Sequence, residues 1–564
     1  MNILIINFRR FGDIFSTGHL VKSYRDAYPG VTVSMLVYEE FAAAAKIIDG
    51  IENIYTIDRK KIVSLKCNPI FSDSYALNSF AQDLSDVAAT CWDKIVNCSN
   101  DEVSSLIASY LIDGTDKKQV HGVSFTQNMG SISSCDWSLL FNDVMTGLEH
   151  PIMHFSDCHH QMCELPRGSE TNKVKIDHSY QQQVESNLKA LRKRESSKEL
   201  PIKLIGIHLK SADERKNIPL ETTISLIEEI LDDPTLYPIM LIAPNQDERS
   251  IANLINRSFD NKLVAIEASF SALVSVLHGL DLLVTPDTAP KHMADLTGTP
   301  VVEIVTGPAP MRKQGTYLSG NVVVTTKLDC APCLVKEPCQ HEITNKCCKM
   351  IQAQDIMAAI HKVLSPGMPI QEQISDGVTL YQSELDQLGI TYRPVAGAFN
   401  KIRELSIMMS RQMVLAKMNK SESNYHNIVQ TINDPMLIKS WIRAEKTSIT
   451  KLSKSLLNTL RFVFYAQKNH HHVTELANAT NLLLEFADYP GVVGIMGRML
   501  QGKIEALRGQ PMEQNIKEME TLLYSTKSDI QSTINCLQKL DSCLEPGISC
   551  VLSRSSTVNQ DEIS

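Results

Sequence analysis

The sequence predicts an α/β fold made of two similar halves, followed by an all-α extension. Three observations carry this reading. Up to about residue 365, short apolar runs alternate with helix-period segments, the pattern of parallel sheets with helical crossovers. The stretch 281–310, DLLVTPDTAPKHMADLTGTPVVEIVTGPAP, reads without a break as strand, loop, helix and strand. After Pro366 the strand signals thin out and apolar residues recur at helical spacing.

The elements follow in order. Ile3 to Ile6 is fully apolar, as a buried parallel strand should be. The loop Asn7 to Asp13 leads into a helix expected from Ile14 to Tyr28, where Gly12 supplies a sharp backbone turn. Pro29-Gly30 stops that helix, and Val31 to Tyr38 is the second strand. A helix near 40–48 and a strand at Ile54–Ile57 continue the alternation, with helices expected near 77–90, 102–112 and Trp137 to Leu148. Cys158-His159-His160-x-x-Cys163 matches no standard metal spacing and is expected in a surface loop. A polar helix over 177–195 connects to the second half. There the strands Lys203–His208, Pro238–Ile242, Leu263–Ile266, Leu282–Val284 and Val301–Val305 lie between helices, and a helix over 351–364 closes the half. The expected domains are 1–170, 171–366, a helical extension over 367–553 and a disordered tail over 554–564.

Composition narrows the function. A length of 564 residues suits two or three domains. A net charge of −9 argues against binding nucleic acid through a general positive field. The N-terminus enters a strand pattern at once, and no apolar run approaches a membrane span. The expectation is a cytoplasmic protein whose fourteen cysteines are mostly reduced, working in solution or peripherally at the inner face of the membrane.

Ligands of parallel sheets sit at the carboxyl ends of the strands, where helix N-termini favour phosphate. Asp287-Thr288-Ala289 lies at such a point, and Thr306-Gly307-Pro308 ends the next strand on the same edge. Asp13 stands where the first strand hands over to its helix. Each of these residues could equally cap a helix. The chain has neither a G-x-G-x-x-G loop nor a G-x-x-x-x-G-K-[ST] loop, which argues against nicotinamide cofactors and P-loop phosphoryl transfer. Two α/β halves without those loops suit a nucleotide-sugar enzyme.

Gly12-Asp13-Ile14-Phe15-Ser16-Thr17, the basic loop ending Lys216-Asn217-Ile218-Pro219, and Pro286-Asp287-Thr288-Ala289-Pro290-x-His292 with Gly298-Thr299-Pro300 resemble glycosyltransferase family 9. That is the family of ADP-heptose:lipopolysaccharide heptosyltransferases, and the resemblance runs over roughly residues 1–365. It implies a GT-B fold, two Rossmann-like domains across a cleft, with acceptor on the first and donor on the second. It also implies inverting sugar transfer that needs no metal, from a nucleotide diphosphate sugar such as ADP-heptose to a glycan, lipid-linked or protein acceptor. Under this resemblance Asp13 is the general base. Ser211 and Lys216 hold the diphosphate, Thr288 and Ala289 offer it backbone amides, and Asp287 orders the sugar. His292 faces the donor, and Asp247 or Glu248 reaches the ribose. Where the family commonly has Gly, this chain has Ala289. Three readings stand: a glycan transferase, a protein transferase of the autotransporter-modifying kind, and a degenerate nucleotide-sugar-binding scaffold.

Five cysteines fall within 330–348: Cys330, Cys333, Cys339, Cys347 and Cys348. A CxxC followed by further thiols at short spacing suits a structural zinc or iron, with Cys330, Cys333, Cys339 and Cys347 as ligands and His341 in reserve. Reduced buried thiols and disulfides remain the alternatives. Family members often carry cysteines at this place, and in those that modify autotransporters they hold iron within a ring-shaped oligomer. In the extension, Leu452, Leu456, Leu460 and Val463, then Leu476, Leu483, Leu484 and Ala487, mark amphipathic helices. Ile516, Leu523, Ile530 and Leu537 repeat at seven. Such stripes fit the core of a helical bundle that docks an acceptor, a partner protein or a second copy. His470-His471-His472 reads as a solvated cluster.

Overall fold

The structure is a computed structural model that describes residues 1–68, 70, 72–112, 120–125, 131–144, 151–168, 173–195, 201–333, 338–341, 344–417, 425–507 and 509–545. The expected tail over 554–564 and the end of the helix expected to Leu148 lie outside these residues. The chain divides into two compact units, Met1–Phe399 with Glu505–Gln510, and Asn400–Ile504 with the chain from Pro511 on.

The first unit holds two sheets. In the first, β1 (Asn2–Ile6), β2 (Thr32–Tyr38), β3 (Ile51–Ile57), β4 (Lys94–Asn97) and β5 (Val120–His121) lie all parallel in the order β3-β2-β1-β4-β5. Its central strand is the apolar run Ile3 to Ile6, each residue fully buried. A small hairpin follows, β6 (Val123–Phe125) with β7 (Ser131–Ser133).

The second sheet has eight strands: β8 (Lys203–His208), β9 (Leu236–Ile242), β10 (Val264–Glu267), β11 (Leu282–Pro286), β12 (Val301–Val305), β13 (Val322–Thr326), β14 (Val378–Asp386) and β15 (Gly389–Gly397). Their order is β10-β9-β8-β11-β12-β13-β14-β15. The first six are parallel, and β8, β9, β11, β12 and β13 are buried along nearly their whole length, so they read as mostly apolar runs rich in Val, Ile and Leu. Ile205, Ile207, Leu282, Val284, Val302 and Val322 form its inner core against Leu226, Ile230 and Ile356 from the flanking helices. Each such side chain contributes about 1.5–3 kcal/mol by leaving water. The two Rossmann-like sheets make the expected GT-B architecture, and the helical region follows it.

Three expectations need correction. The helical extension begins at residue 400, not 367, because β14 and β15 add an antiparallel hairpin to the second sheet. Its two-residue loop and half-exposed alternation give a weaker signal than a buried parallel strand. Gly12 lies inside the helix Phe11–Ala27 and makes no sharp turn. The Cys158-His159-His160 segment is no surface loop but part of the buried helix Phe155–Met162, where Cys158 is 0 % exposed. The His160 imidazole can be buried there because it is neutral and partnered, 2.6 Å from the Ser156 carbonyl and 2.8 Å from Ser23 Oγ.

The second unit is helical: Lys401–Lys417, Tyr425–Ile432, Pro435–Lys468, Val473–Leu484, Gly491–Glu505 and Met512–Ser542. The helix Pro435–Lys468 packs against Val473–Leu484 and against Met512–Ser542. Leu452, Leu456 and Val463 on the first face Leu476 and Leu483 on the second, and Ile516, Leu523, Ile530 and Leu537 are buried on the third. Thr526 and Thr533, which dilute the heptad in sequence, are buried too and hydrogen-bond back to their own helix. The stripes therefore build a bundle core. Among the described residues, no helix is long and apolar enough to cross a membrane.

Candidate active site

The carboxyl ends of β1 and of β8, β9 and β11 open onto one cavity of about 950 Å³. Asp13, Ser211, Lys216, Glu248, Asp287, Thr288, Ala289 and His292 all line it. The eight residues picked for catalysis and donor binding are therefore brought together.

Asp13 sits in the first turn of the helix Phe11–Ala27, which starts right after β1. Its Oδ2 accepts the Arg10 N–H at 3.3 Å, so it closes the helix end and lines the cavity at once. Burial raises its carboxyl above the usual range and the nearby Asp287 adds to this, while Arg9 and Lys313 pull the other way. Arg9 is itself fixed by the Ser99 carbonyl, at 2.6 and 3.2 Å. A half-buried carboxylate of raised basicity is the form a general base takes.

On the opposite lobe β11 runs into the helix Ala289–Thr297, with Pro290 in its first turn. Thr288 holds the N-cap position, but its hydroxyl does not cap the helix; it lies 3.1 Å from Thr285 Oγ1. Asp287 is the hub. Its Oδ2 accepts from Lys216 Nζ at 2.6 Å and from Gln314 Nε2 at 2.7 Å. Its Oδ1 lies 3.7 Å from both Lys291 Nζ and His292 Nε2. Burial opposes its ionisation, yet Lys216, Lys291 and His292 together hold the carboxyl far below the ordinary range. Lys216, read as a phosphate ligand, thus rests on Asp287.

His292 bridges the lobes, with Nδ1 2.9 Å from Ser16 Oγ of the first helix. Burial and the adjacent Lys291 keep its ring neutral. Ser211 belongs to a turn in which its N–H donates to Asn217 Oδ1 at 2.6 Å. Glu248 accepts the Ala243 N–H at 2.6 Å and Asn245 Nδ2 at 3.1 Å at the start of the helix Gln246–Ser258. Asp247, the other candidate for the ribose, is mostly exposed, pairs with Lys210 at 3.2 Å and is not among the lining residues.

Several lining residues escaped the sequence reading. His208 ends β8, 3.4 Å from the hydroxyls of Thr285 and Thr288, and burial lowers it to about 4. Its place at a strand's carboxyl end was the signal available. Lys313 and Gln314 follow the chosen stretch by only a few residues. His159 had no usable signal; its ring lies between Phe141 and Phe155, its Nε2 has no hydrogen-bond partner among the described residues, and burial lowers it to about 3.

The cysteines stand behind this site. Cys348 Sγ lies 3.0 Å from the Arg215 carbonyl, next to Lys216, and the Cys333 N–H donates to the Gly307 carbonyl at 3.0 Å. Cys330 Sγ is 3.2 Å from His341 Nε2. Hydrogen bonds from the His341, Asn345 and Lys346 amides lower Cys339, and the Cys348 thiol lowers Cys347 to about 6. The thirteen described cysteines are all unbridged. Among the described residues no group of three or more His, Cys, Asp or Glu is disposed to hold a metal ion. Burial raises Cys330 and Cys333, the latter to about 11, so only Cys339 and Cys347 favour a thiolate, and as placed the four do not enclose a cation.

No curated protein matches the chain. Residues 146–343 match the family described as glycosyltransferase family 9 (heptosyltransferase). Among solved structures, a family 9 glycosyl transferase from Veillonella parvula is similar over 65% of this chain and 97% of its own, at 16% identity and a TM-score of 0.46. The ADP-heptose lipopolysaccharide heptosyltransferase II of E. coli covers 64% of this chain and 98% of its own, at 11% identity and a TM-score of 0.42. The iron-containing dodecameric glycosyltransferase TibC of enterotoxigenic E. coli covers 65% and 77%, at 9% identity and a TM-score of 0.33. The match supports a glycosyltransferase, and its likeness to family 9 covers residues 146–343.

Proposed function

We propose that the protein is an inverting glycosyltransferase that moves a sugar, in the first instance a heptose, from a nucleotide diphosphate sugar to a hydroxyl of a glycan acceptor. The observation that supports this best is the cavity itself. It sets a carboxylate of raised basicity on one lobe against a lysine and a helix N-terminus on the other.

Asp13 takes the proton of the acceptor hydroxyl as its oxygen attacks the anomeric carbon. The bond from that carbon to the diphosphate breaks, and its electron pair leaves on the phosphate oxygen. A single displacement of this kind inverts the anomeric centre. The charge growing on the leaving diphosphate meets Lys216 and the N-terminal amides of Ala289–Thr297, with Ser211 as a further donor. Asp287 and His292 order the sugar, and Glu248 receives the ribose. The raised carboxyl of Asp13 favours catalysis over a scaffold role, since a binding module has no use for a stronger base.

The thiols of Cys330, Cys333, Cys339 and Cys347 we assign to a structural zinc or iron, supported by their close spacing and by the hydrogen bonds that favour the thiolate forms of Cys339 and Cys347, while burial raises Cys330 and Cys333. No chemical step passes through it.

The test is release of nucleotide diphosphate, scanned over ADP-, GDP- and UDP-sugars with cytoplasmic glycan and lipopolysaccharide fractions as acceptors, and anomer analysis of the product. ADP-heptose should give the highest rate and an inverted product. A retained anomer, or no turnover of any nucleotide sugar, overturns the proposal.

A further inference from the structure

Lys291 is fully buried and is not among the residues that line the cavity, so it cannot itself touch a ligand there. It lies between Asp287 and His292 in sequence and one helical turn beyond Asp287. Its ammonium donates to the Gln314 carbonyl and stands 3.3 Å from His292 Nδ1, 3.7 Å from Asp287 Oδ1 and 3.8 Å from Glu303 Oε1.

Building on the donor site proposed above, we propose that Lys291 is the resident counter-ion of Asp287, a positioning residue that frees Lys216 to engage the donor diphosphate. The argument begins with a conflict. Lys216 is assigned to phosphate, yet it sits on Asp287 Oδ2 at 2.6 Å. The Asp287 side chain is only 5% exposed. Removing the partner of a buried carboxylate is strongly unfavourable unless another charge remains beside it. A phosphate ligand held back by that penalty would bind poorly.

Lys291 removes the conflict through the other oxygen. It faces Oδ1, whereas Lys216 and Gln314 hold Oδ2. When Lys216 turns to phosphate, Gln314 stays on Oδ2 and Lys291 stays beside Oδ1. The two lysines differ in the way this division requires: the Lys216 side chain is 15% exposed and lines the cavity, while the Lys291 side chain is 0% exposed and anchored from behind. Glu303 competes only weakly for Lys291. Burial raises its carboxyl to about 7, and its other oxygen already accepts the Thr316 N–H at 2.6 Å. Of the other titratable groups near Asp287, Asp13 comes from the first lobe and His292 is neutral.

The experiment is calorimetry with ADP, and with inorganic pyrophosphate as a nucleotide-blind probe, on wild type, Lys291→Met, Asp287→Asn and the double variant. Lys291→Met should weaken both probes on the order of tenfold to a hundredfold, the range of a lost charge-assisted contact. Asp287→Asn, which no longer retains Lys216, should bind at least as tightly as wild type. In the double variant the Lys291 change should then cost almost nothing. Lys291→Arg should recover much of the affinity, which a merely space-filling role for Lys291 would not require. Should Lys291→Met fail to fold, Lys291→Gln, which keeps a donor for the Gln314 carbonyl, reads the same loss. Unchanged affinity in the Lys291 variants, or a loss undiminished in the Asp287→Asn background, overturns the inference. Failure of wild type to bind either probe instead overturns the donor site on which it rests.

Discussion

Replacing Gly12 by alanine tests whether the two lobes meet as described. A Cβ at residue 12 would lie 2.6 Å from His292 Cδ2 and 3.0 Å from Nε2, closer than carbon atoms normally approach. The ring has little room to yield. Ser16 Oγ and Lys291 Nζ stand at its Nδ1, 2.9 and 3.3 Å away, and Asp287 lies 3.7 Å from its Nε2. Overpacking of this kind costs about 1–3 kcal/mol. Losing the contact to Ser16 adds about 1 kcal/mol. Within the helix itself alanine is favoured over glycine by about 1 kcal/mol, so the two effects oppose each other in overall stability. They do not oppose each other in catalysis, because the clash falls between the His292 ring and the helix turn that carries Asp13. Turnover should drop on the order of tenfold to a hundredfold while the melting temperature moves by only about a few degrees. In the His292→Ala background the same substitution should cost almost nothing. Wild-type turnover in Gly12→Ala, or an equal loss with and without the His292 ring, would refute the lobe contact.

Asp13→Asn should cut turnover by roughly 10²–10⁴-fold with donor affinity nearly unchanged. A base works only when ionised, so wild-type turnover should fall as pH drops through a value above the ordinary carboxylate range, and a pH–rate profile should lose that limb in the variant. Lys216→Ala should weaken ADP by about tenfold to a hundredfold in calorimetry, and Asp287→Ala should harm transfer more than it harms nucleotide binding. Elemental analysis of the purified protein should find about one zinc or iron per chain. Cys330→Ser with Cys333→Ser should remove it and lower the melting temperature, whereas a metal-free wild type of full stability would leave reduced buried thiols as the better description.

The residues that line the cavity were legible because their places are set by local rules. Asp13 and Asp287 stand where a buried parallel strand ends, and an apolar run followed by a turn shows that place in sequence. Lys291 and Glu303 were invisible for the opposite reason. A lysine at 0% exposure and a glutamate in the middle of an apolar strand contradict the ordinary partition of charge, and only a three-dimensional neighbour justifies them. His159 and His160 suffered the same fate, since the hydroxyl and the rings that accommodate their imidazoles come from distant segments. The cysteine spacing was legible as a cluster, but spacing alone does not direct thiols to a common point.

The boundary after the second sheet was misplaced for a reason that bears on the site. β14 pairs with β13, whose Val322, Val323 and Val324 are fully buried, so the hairpin finishes the second sheet rather than decorating it. Its far strand then reaches back to the first lobe. The Ile390 N–H donates to Asp157 Oδ2 at 2.8 Å, and Tyr317 donates its hydroxyl to the other oxygen of the same carboxylate. Gly389, at φ +116°, leaves no room for a Cβ against Asp157. Asp157 belongs to the helix Phe155–Met162, and two residues of that helix, Phe155 and His159, line the cavity. The hairpin therefore holds by its carboxylate a helix that forms part of the cavity wall. Strands outside the family 9 match are thus part of what gives that wall its position.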